Sequence, residues 1–312
     1  MRAGHRWSLF LLLGGLLTPV AHAQEMFPAG AGAPTAAVGG PTVSDSSVGY
    51  IDNAIPGNLF RFRYDTVYNN RRPNRAEFFW ARGQPFGPGV PLPEPSVDYQ
   101  DFSSYLELAG PEKWVSGFLE VPFRLVNPEV NVDAGGPGDL NAGFKIAYVR
   151  RKDFVATLQL RTYVPTGDAD RGLGTNHVSL EPGLLAFARL DERLRLESEL
   201  RLWVPIGATD FAGDVLRYGV GVHYDLFDIQ QIRFTPVVEF VGWTVLGGQE
   251  TVVHPGGPPV TMSAAGDTIL NLKLGMRMKL GCRGDLYFGY GRPLTGERWY
   301  ENTYRAEFRL FY

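Results

Sequence analysis

Strict alternation of apolar and polar residues recurs about a dozen times between Gly57 and Tyr312, and no other feature constrains the fold so tightly. In "NLFRFRYD" Phe60, Phe62 and Tyr64 share one parity, while Arg61, Arg63 and Asp65 share the other. A strand sends those two sets to opposite faces. "LRLESELRLWV" places Arg195, Glu197, Glu199 and Arg201 opposite Leu194, Leu196, Leu200 and Leu202. "ILNLKLGMRMKL" places Asn271, Lys273, Arg277 and Lys279 opposite a row of leucines and methionines. The pattern persists to the last residue: in "YRAEFRLFY" Tyr304, Ala306, Phe308, Leu310 and Tyr312 face away from Arg305, Glu307 and Arg309. The chain is all-β.

A soluble sandwich with its apolar face inward would show the same periodicity, so the connections must decide. They alternate in length. "GPEK", "RRKD", "DER", "FDIQQ" and "GCRG" are short, and between them fall long stretches such as "PTGDADRGLGTNH" and "TVLGGQETVVHPGGPPVTMSAAG". Short turns on one side and long loops on the other are the signature of an outer-membrane barrel, with periplasmic turns and external loops. The pattern predicts an antiparallel up-and-down transmembrane β-barrel of about twelve strands over residues 57–312. On the apolar parity, Tyr148, Phe154, Tyr224 and Tyr312 fall beside the short turns, where an interfacial aromatic girdle belongs. A soluble periplasmic or extracellular ligand-binding β-protein is the alternative from another class.

At the other end Arg2, His5 and Arg6 precede the apolar "WSLFLLLGGLLTPV", and "AHA" supplies a small-x-small cleavage site. Residues 1–23 read as a secretory signal peptide, too short in its apolar run to anchor. Export and the barrel pattern together predict an outer-membrane location. Residues 24–56, rich in Gly, Ala, Pro and Ser, read as a flexible linker, with a short plug folded inside the domain as the lesser alternative.

Composition narrows the function. The formal charge of −3 is mildly acidic, which argues against a nucleic-acid partner. The one cysteine, Cys282, leaves no internal disulfide and no cysteine-based zinc cluster. No phosphate-binding loop, dinucleotide fingerprint or H-E-x-x-H motif is present, and no cofactor is expected. Glu197 and Glu199 share a strand face about 7 Å apart, a spacing open to acid/base chemistry. Arg195 and Arg201 bracket them, however, and favour a structural salt-bridge ladder. His177, His223 and His254 form no readable set with a serine nucleophile, so the chain does not read as an enzyme. "DADRG", with Asp168 and Asp170, opens like a calcium loop but lacks the later bidentate acid.

The polar parity therefore carries the functional expectation. Arg61, Arg63, Lys145, Arg161, Arg195, Arg201, Arg217, His223, Arg233, Lys273, Arg277, Arg305 and Arg309 would line the lumen. Glu107, Glu120, Glu181, Glu197, Glu199, Glu239 and Glu307 would partly offset them. If these charges line a water path, they filter small solutes; if they pair across the lumen, the barrel is closed and serves as a structural or anchoring element. The expected partners are outer-membrane lipid, an unidentified small solute, and the barrel-insertion machinery, which would read the terminal strand ending at Tyr312.

One resemblance adds to this. "GDLNAGFKIAY" (Gly138–Tyr148), "LQLRTYVPTGDAD" (Leu158–Asp170) and "LEPGLLAF" resemble the outer-membrane family labelled meta-pathway of phenol degradation, with "VPTGD" the most telling piece. The resemblance spans Gly138–Leu190. It implies a transporter-like barrel, distantly similar to channels for fatty acids and aromatic hydrocarbons, and hence hydrophobic or aromatic solutes.

Overall fold

A computed structural model describes residues 40–71, 89–92, 94–207, 210–229, 232–252, 257–258, 260–296 and 298–312. The signal-peptide reading of residues 1–23, most of the first long loop and His254 lie outside the described residues. Sixteen strands follow in order: β1 (Leu59–Asn70), β2 (Val97–Ala109), β3 (Val115–Pro128), β4 (Ala134–Pro137), β5 (Leu140–Arg151), β6 (Phe154–Val164), β7 (Val178–Arg189), β8 (Leu194–Ile206), β9 (Val215–Tyr224), β10 (Phe227–Ile229), β11 (Ile232–Val245), β12 (Gln249–Val252), β13 (Val260–Ser263), β14 (Thr268–Leu280), β15 (Gly284–Pro293) and β16 (Asn302–Phe311). Twelve of them are staves of a closed antiparallel barrel. Each pairs with its neighbours in sequence order, and β16 returns to β1, so no stave edge is left unpaired. Among the described residues no helix is long and apolar enough to cross a membrane.

The four remaining strands trim the ends. β4 pairs with β3 beyond the point where β5 begins, and β12 and β13 form a hairpin inside the longest described loop. β10 folds back on β11 at the opposite rim. Two register shifts occur, between Val67 and Asn70 on β1 and between Ala147 and Val149 on β5. The first coincides with Asn69 at φ 53°, the extra residue of a bulge at the loop end.

The two parities separate cleanly. Every stave turns large apolar side chains outward, among them Phe62, Val121, Phe144, Leu200, Leu274 and Leu310, and all are exposed. Tyr148, Phe154, Tyr224 and Tyr312 are exposed on this outer face beside the short turns. Charged and polar side chains point inward, where most are buried. This is a protein turned inside out relative to a soluble one, as a lipid solvent requires.

The expectation of a flexible linker up to residue 56 is overturned for its described part. Residues 40–57 are folded inside the barrel. The segment enters near the short turns, where Asp45 lies 3.4 Å from Arg189, a residue that also reaches Asp153 of the "RRKD" turn. It climbs to an apex at Tyr50–Asp52 and returns to β1. Val48, Tyr50, Ile51, Ala54 and Ile55 are buried along the way. Ala54 and Ile55 fit against inward-facing Ala147, Val155, Leu185 and Phe187, an apolar patch set into the otherwise charged wall.

Candidate functional site

The lumen is built from ion pairs, because a charge removed from water and left unpartnered costs several kcal/mol. Near the turn end, Asp285 receives Arg277 and Arg309, both at 2.6 Å, and Glu307 receives Arg277 at 2.9 Å. Asp225 takes Arg195 at 2.7 Å and Arg233 at 3.2 Å, and Lys145 meets Glu107 at 2.9 Å. Higher up, Glu120 collects Arg61, Arg63 and Arg161, while Arg201 bridges Glu181 and Glu199. Arg217 meets Glu199 at 2.8 Å.

The plug is held mainly by its backbone. Glu239 accepts the amide N–H groups of Gly49, Tyr50 and Ile51 at 3.1, 2.9 and 2.9 Å. Glu199 accepts that of Asp52, and Glu197 accepts that of Ser47 together with the Ser46 hydroxyl. In the other direction Arg309 donates to the carbonyl of Ser46, Arg277 to those of Ser47 and Val48, Arg305 to that of Gly49 and Arg217 to that of Tyr50. One plug side chain is equally central: the Asp52 carboxylate accepts from Gln159, Arg161 and Arg201 at 2.9, 2.9 and 3.2 Å. Gly49 must be glycine, since a Cβ there would overlap the fully buried Tyr287 ring.

Between the apex and the loop end lies a cavity of about 210 Å³. Its wall includes Arg63, Arg161, Arg201, Arg217, Lys273 and Arg305, the acids Asp65, Glu120 and Glu181, and the rings of Tyr50, Tyr99, Tyr163, Trp203, Trp243 and Tyr300. Trp243 packs on Trp299 with ring centroids 5.0 Å apart. At the loop end His177 packs edge-on to Trp203 and donates from Nδ1 to the Thr175 carbonyl; burial pushes its imidazole below the ordinary histidine value.

The structure places the residues read as lumen-lining on the inward parity of their staves, where Arg61, Lys145, Arg195 and Arg233 pair with wall carboxylates and others border the cavity or grip the plug. Arg63, Glu120, Arg161, Glu181, Arg201, Arg217, Lys273 and Arg305 border the cavity. Glu197, Glu199, Glu239, Arg277 and Arg309 grip the plug, and Arg161, Arg201, Arg217 and Arg305 serve both. Glu197 and Arg195 do not form the expected ladder. Arg195 turns to Asp225, and Glu197 takes His223 at 2.9 Å and the plug. Asp168 and Asp170 flank and enter a single 3-10 turn, and among the described residues no group of three or more acidic, histidine or cysteine side chains could hold a metal. Missing from the sequence reading were Asp52 and Tyr50, which lay in the supposed linker, and the inward aromatics Tyr99, Tyr163, Trp203 and Trp243. Strand parity alone would have marked Trp203, which shares its face with Arg201, and Trp243, which shares its face with Glu239.

A closed antiparallel barrel with an apolar exterior and a charged, occupied lumen defines a transmembrane β-barrel. Among solved structures, the fold is similar to that of an outer membrane channel from Pseudomonas putida F1, with a TM-score of 0.53 at 13% identity over 85% of this chain and 98% of that one. The NanC porin has a TM-score of 0.48 at 9% identity, covering 82% of this chain and 100% of that one. The KdgM porin has a TM-score of 0.45 at 8% identity, covering 81% and 99%. No family model matches the chain, and no curated protein matches it.

Proposed function

We propose that the protein is an outer-membrane channel, or transporter-like barrel, for small solutes, closed at rest by residues 40–57. The observation that carries this reading is the way the plug is seated. Its main chain hangs on charged wall residues that would line a water path without it, and a cavity persists above its apex. A lumen filled only for stability would instead be expected to pack apolar side chains throughout. The apolar outer face supports a membrane location over a soluble ligand-binding protein. In this reading the short turns face the periplasm and the long loops the exterior. The resemblance of Gly138–Leu190 to the phenol meta-pathway family extends the reading to hydrophobic or aromatic solutes.

The saturation of the lumen with ion pairs favours a second reading, a closed structural or anchoring barrel. Single-channel recording on the purified full chain in a planar bilayer separates the two. Stepwise currents are expected; their absence, even after the plug is dislodged, would leave the anchoring barrel.

A further inference from the structure

Among the described residues the cavity wall holds one cation with no carboxylate partner, and the reason lies in strand register. Lys273 on β14 faces Glu239 on β11 as its direct cross-strand partner. Such a pair would ordinarily form an ion pair. Glu239 is diverted: its two oxygens take three plug amides and the Tyr287 hydroxyl. On the other side Lys273 faces Gly291 of β15, which offers no side chain, and the amine stem lies where a Cβ would be. Lys273 is 3% exposed, and among the described residues no carboxylate comes within ion-pair distance of its ammonium. It donates to the Tyr300 hydroxyl and sits over the rings of Tyr50 and Tyr300, 4.3 and 4.5 Å from their centroids.

Every neighbouring cation on the cavity wall is neutralised. Arg63, Arg161, Arg201, Arg217 and Arg305 each meet at least one aspartate or glutamate. Two ring faces offset only part of the cost of burying an ammonium. A second donor borders the same cavity: Trp243 Nε1 is buried and has no hydrogen-bond partner among the described residues.

We propose that this cavity binds a small organic carboxylate, with Lys273 as its counter-ion and the Trp243 indole N–H as a second donor. The volume of about 210 Å³ suits an acid built on a single ring, which the flanking tyrosine and tryptophan faces would sandwich. The proposal rests on the channel reading only in placing this site on the solute's path.

Isothermal titration calorimetry on the full-length barrel in detergent tests it, with benzoate as probe and benzyl alcohol as its uncharged counterpart. Benzoate should bind saturably and at least about tenfold more tightly than benzyl alcohol. Lys273→Met should lose that preference, and Lys273→Arg should keep it. Equal affinity for the two probes in the unaltered protein overturns the proposal, and so does undiminished benzoate binding by a folded Lys273→Met. Should Lys273→Met not fold, the probe comparison in the unaltered protein and in Lys273→Arg decides alone. Conductance measured in parallel keeps the two readings apart. Benzoate binding in a barrel that passes no current even after the plug is dislodged supports the site and removes the channel; current without benzoate preference removes the site and keeps the channel.

Discussion

Arg305 on the last stave and Asp65 on the first are register partners, and they form a two-pronged ion pair across the seam that closes the barrel. Arg305 Nε lies 2.6 Å from Oδ1 and a terminal guanidinium nitrogen lies 2.7 Å from Oδ2. The same guanidinium reaches the Gly49 carbonyl and stacks 4.1 Å from the centroid of the Tyr50 ring, so the seam and the plug share one residue.

Removing one partner of such a pair strands the other in a place that water scarcely reaches. Asp65→Ala should therefore destabilise the barrel by about 3–5 kcal/mol. Urea unfolding followed by tryptophan fluorescence in detergent would show the midpoint shift. A loss below about 1 kcal/mol would mean that the seam holds without this pair.

The outer face gives a depth-dependent expectation. Leu274 sits midway along β14 and is 45% exposed, whereas Leu280 ends the strand at the turn rim. Leu274→Arg should cost about 2–4 kcal/mol of folding in bilayers, and Leu280→Arg about 0–1. Equal costs for the two would contradict a lipid-facing midplane at Leu274.

Plug displacement can be forced at one atom. Gly49→Val places a side chain where the Tyr287 ring already lies, with both residues in the lumen and neither on the lipid face. The barrel should still assemble, and its unitary conductance should rise at least about twofold over the parent protein. Unchanged conductance in a folded Gly49→Val would show that the plug is not what closes the path.

Tyr312 is exposed on the outer face at the end of β16, and its amide N–H donates to the Asn58 carbonyl at the foot of β1. If the terminal strand is what the insertion machinery reads, Tyr312→Asp should block assembly and leave protein in the periplasm. An ordinary exposed position would tolerate the change within about 0.5 kcal/mol. Normal membrane levels with unchanged heat-modifiable migration on gels would remove that role for the terminus.

The barrel was legible because a two-residue period and alternating connection lengths are local properties of the strands themselves. In the structure "YRAEFRLFY" pairs with "NLFRFRYD", the closure by which a barrel leaves no edge open. The plug was legible only as the lesser alternative to a linker, for the opposite reason. Residues 40–57 carry no periodicity, and their shape is imposed from outside by Glu239, Glu199, Arg277 and Arg309, which lie far away in sequence. The cavity depended on that hidden element. Lys273 looked like one lumenal cation among many, and its isolation appears only once Glu239 is seen to have turned to the plug.

Plug and first stave are one continuous piece of chain, joined through Asn58. A ring that had already closed would have to be threaded from below by a folded loop carrying a tyrosine at its tip. No threading is needed if the segment lies against the concave side of the growing sheet while β16 is still apart from β1. The last zipper to fasten is then also the step that locks the loop in, with Arg305 latching both at once.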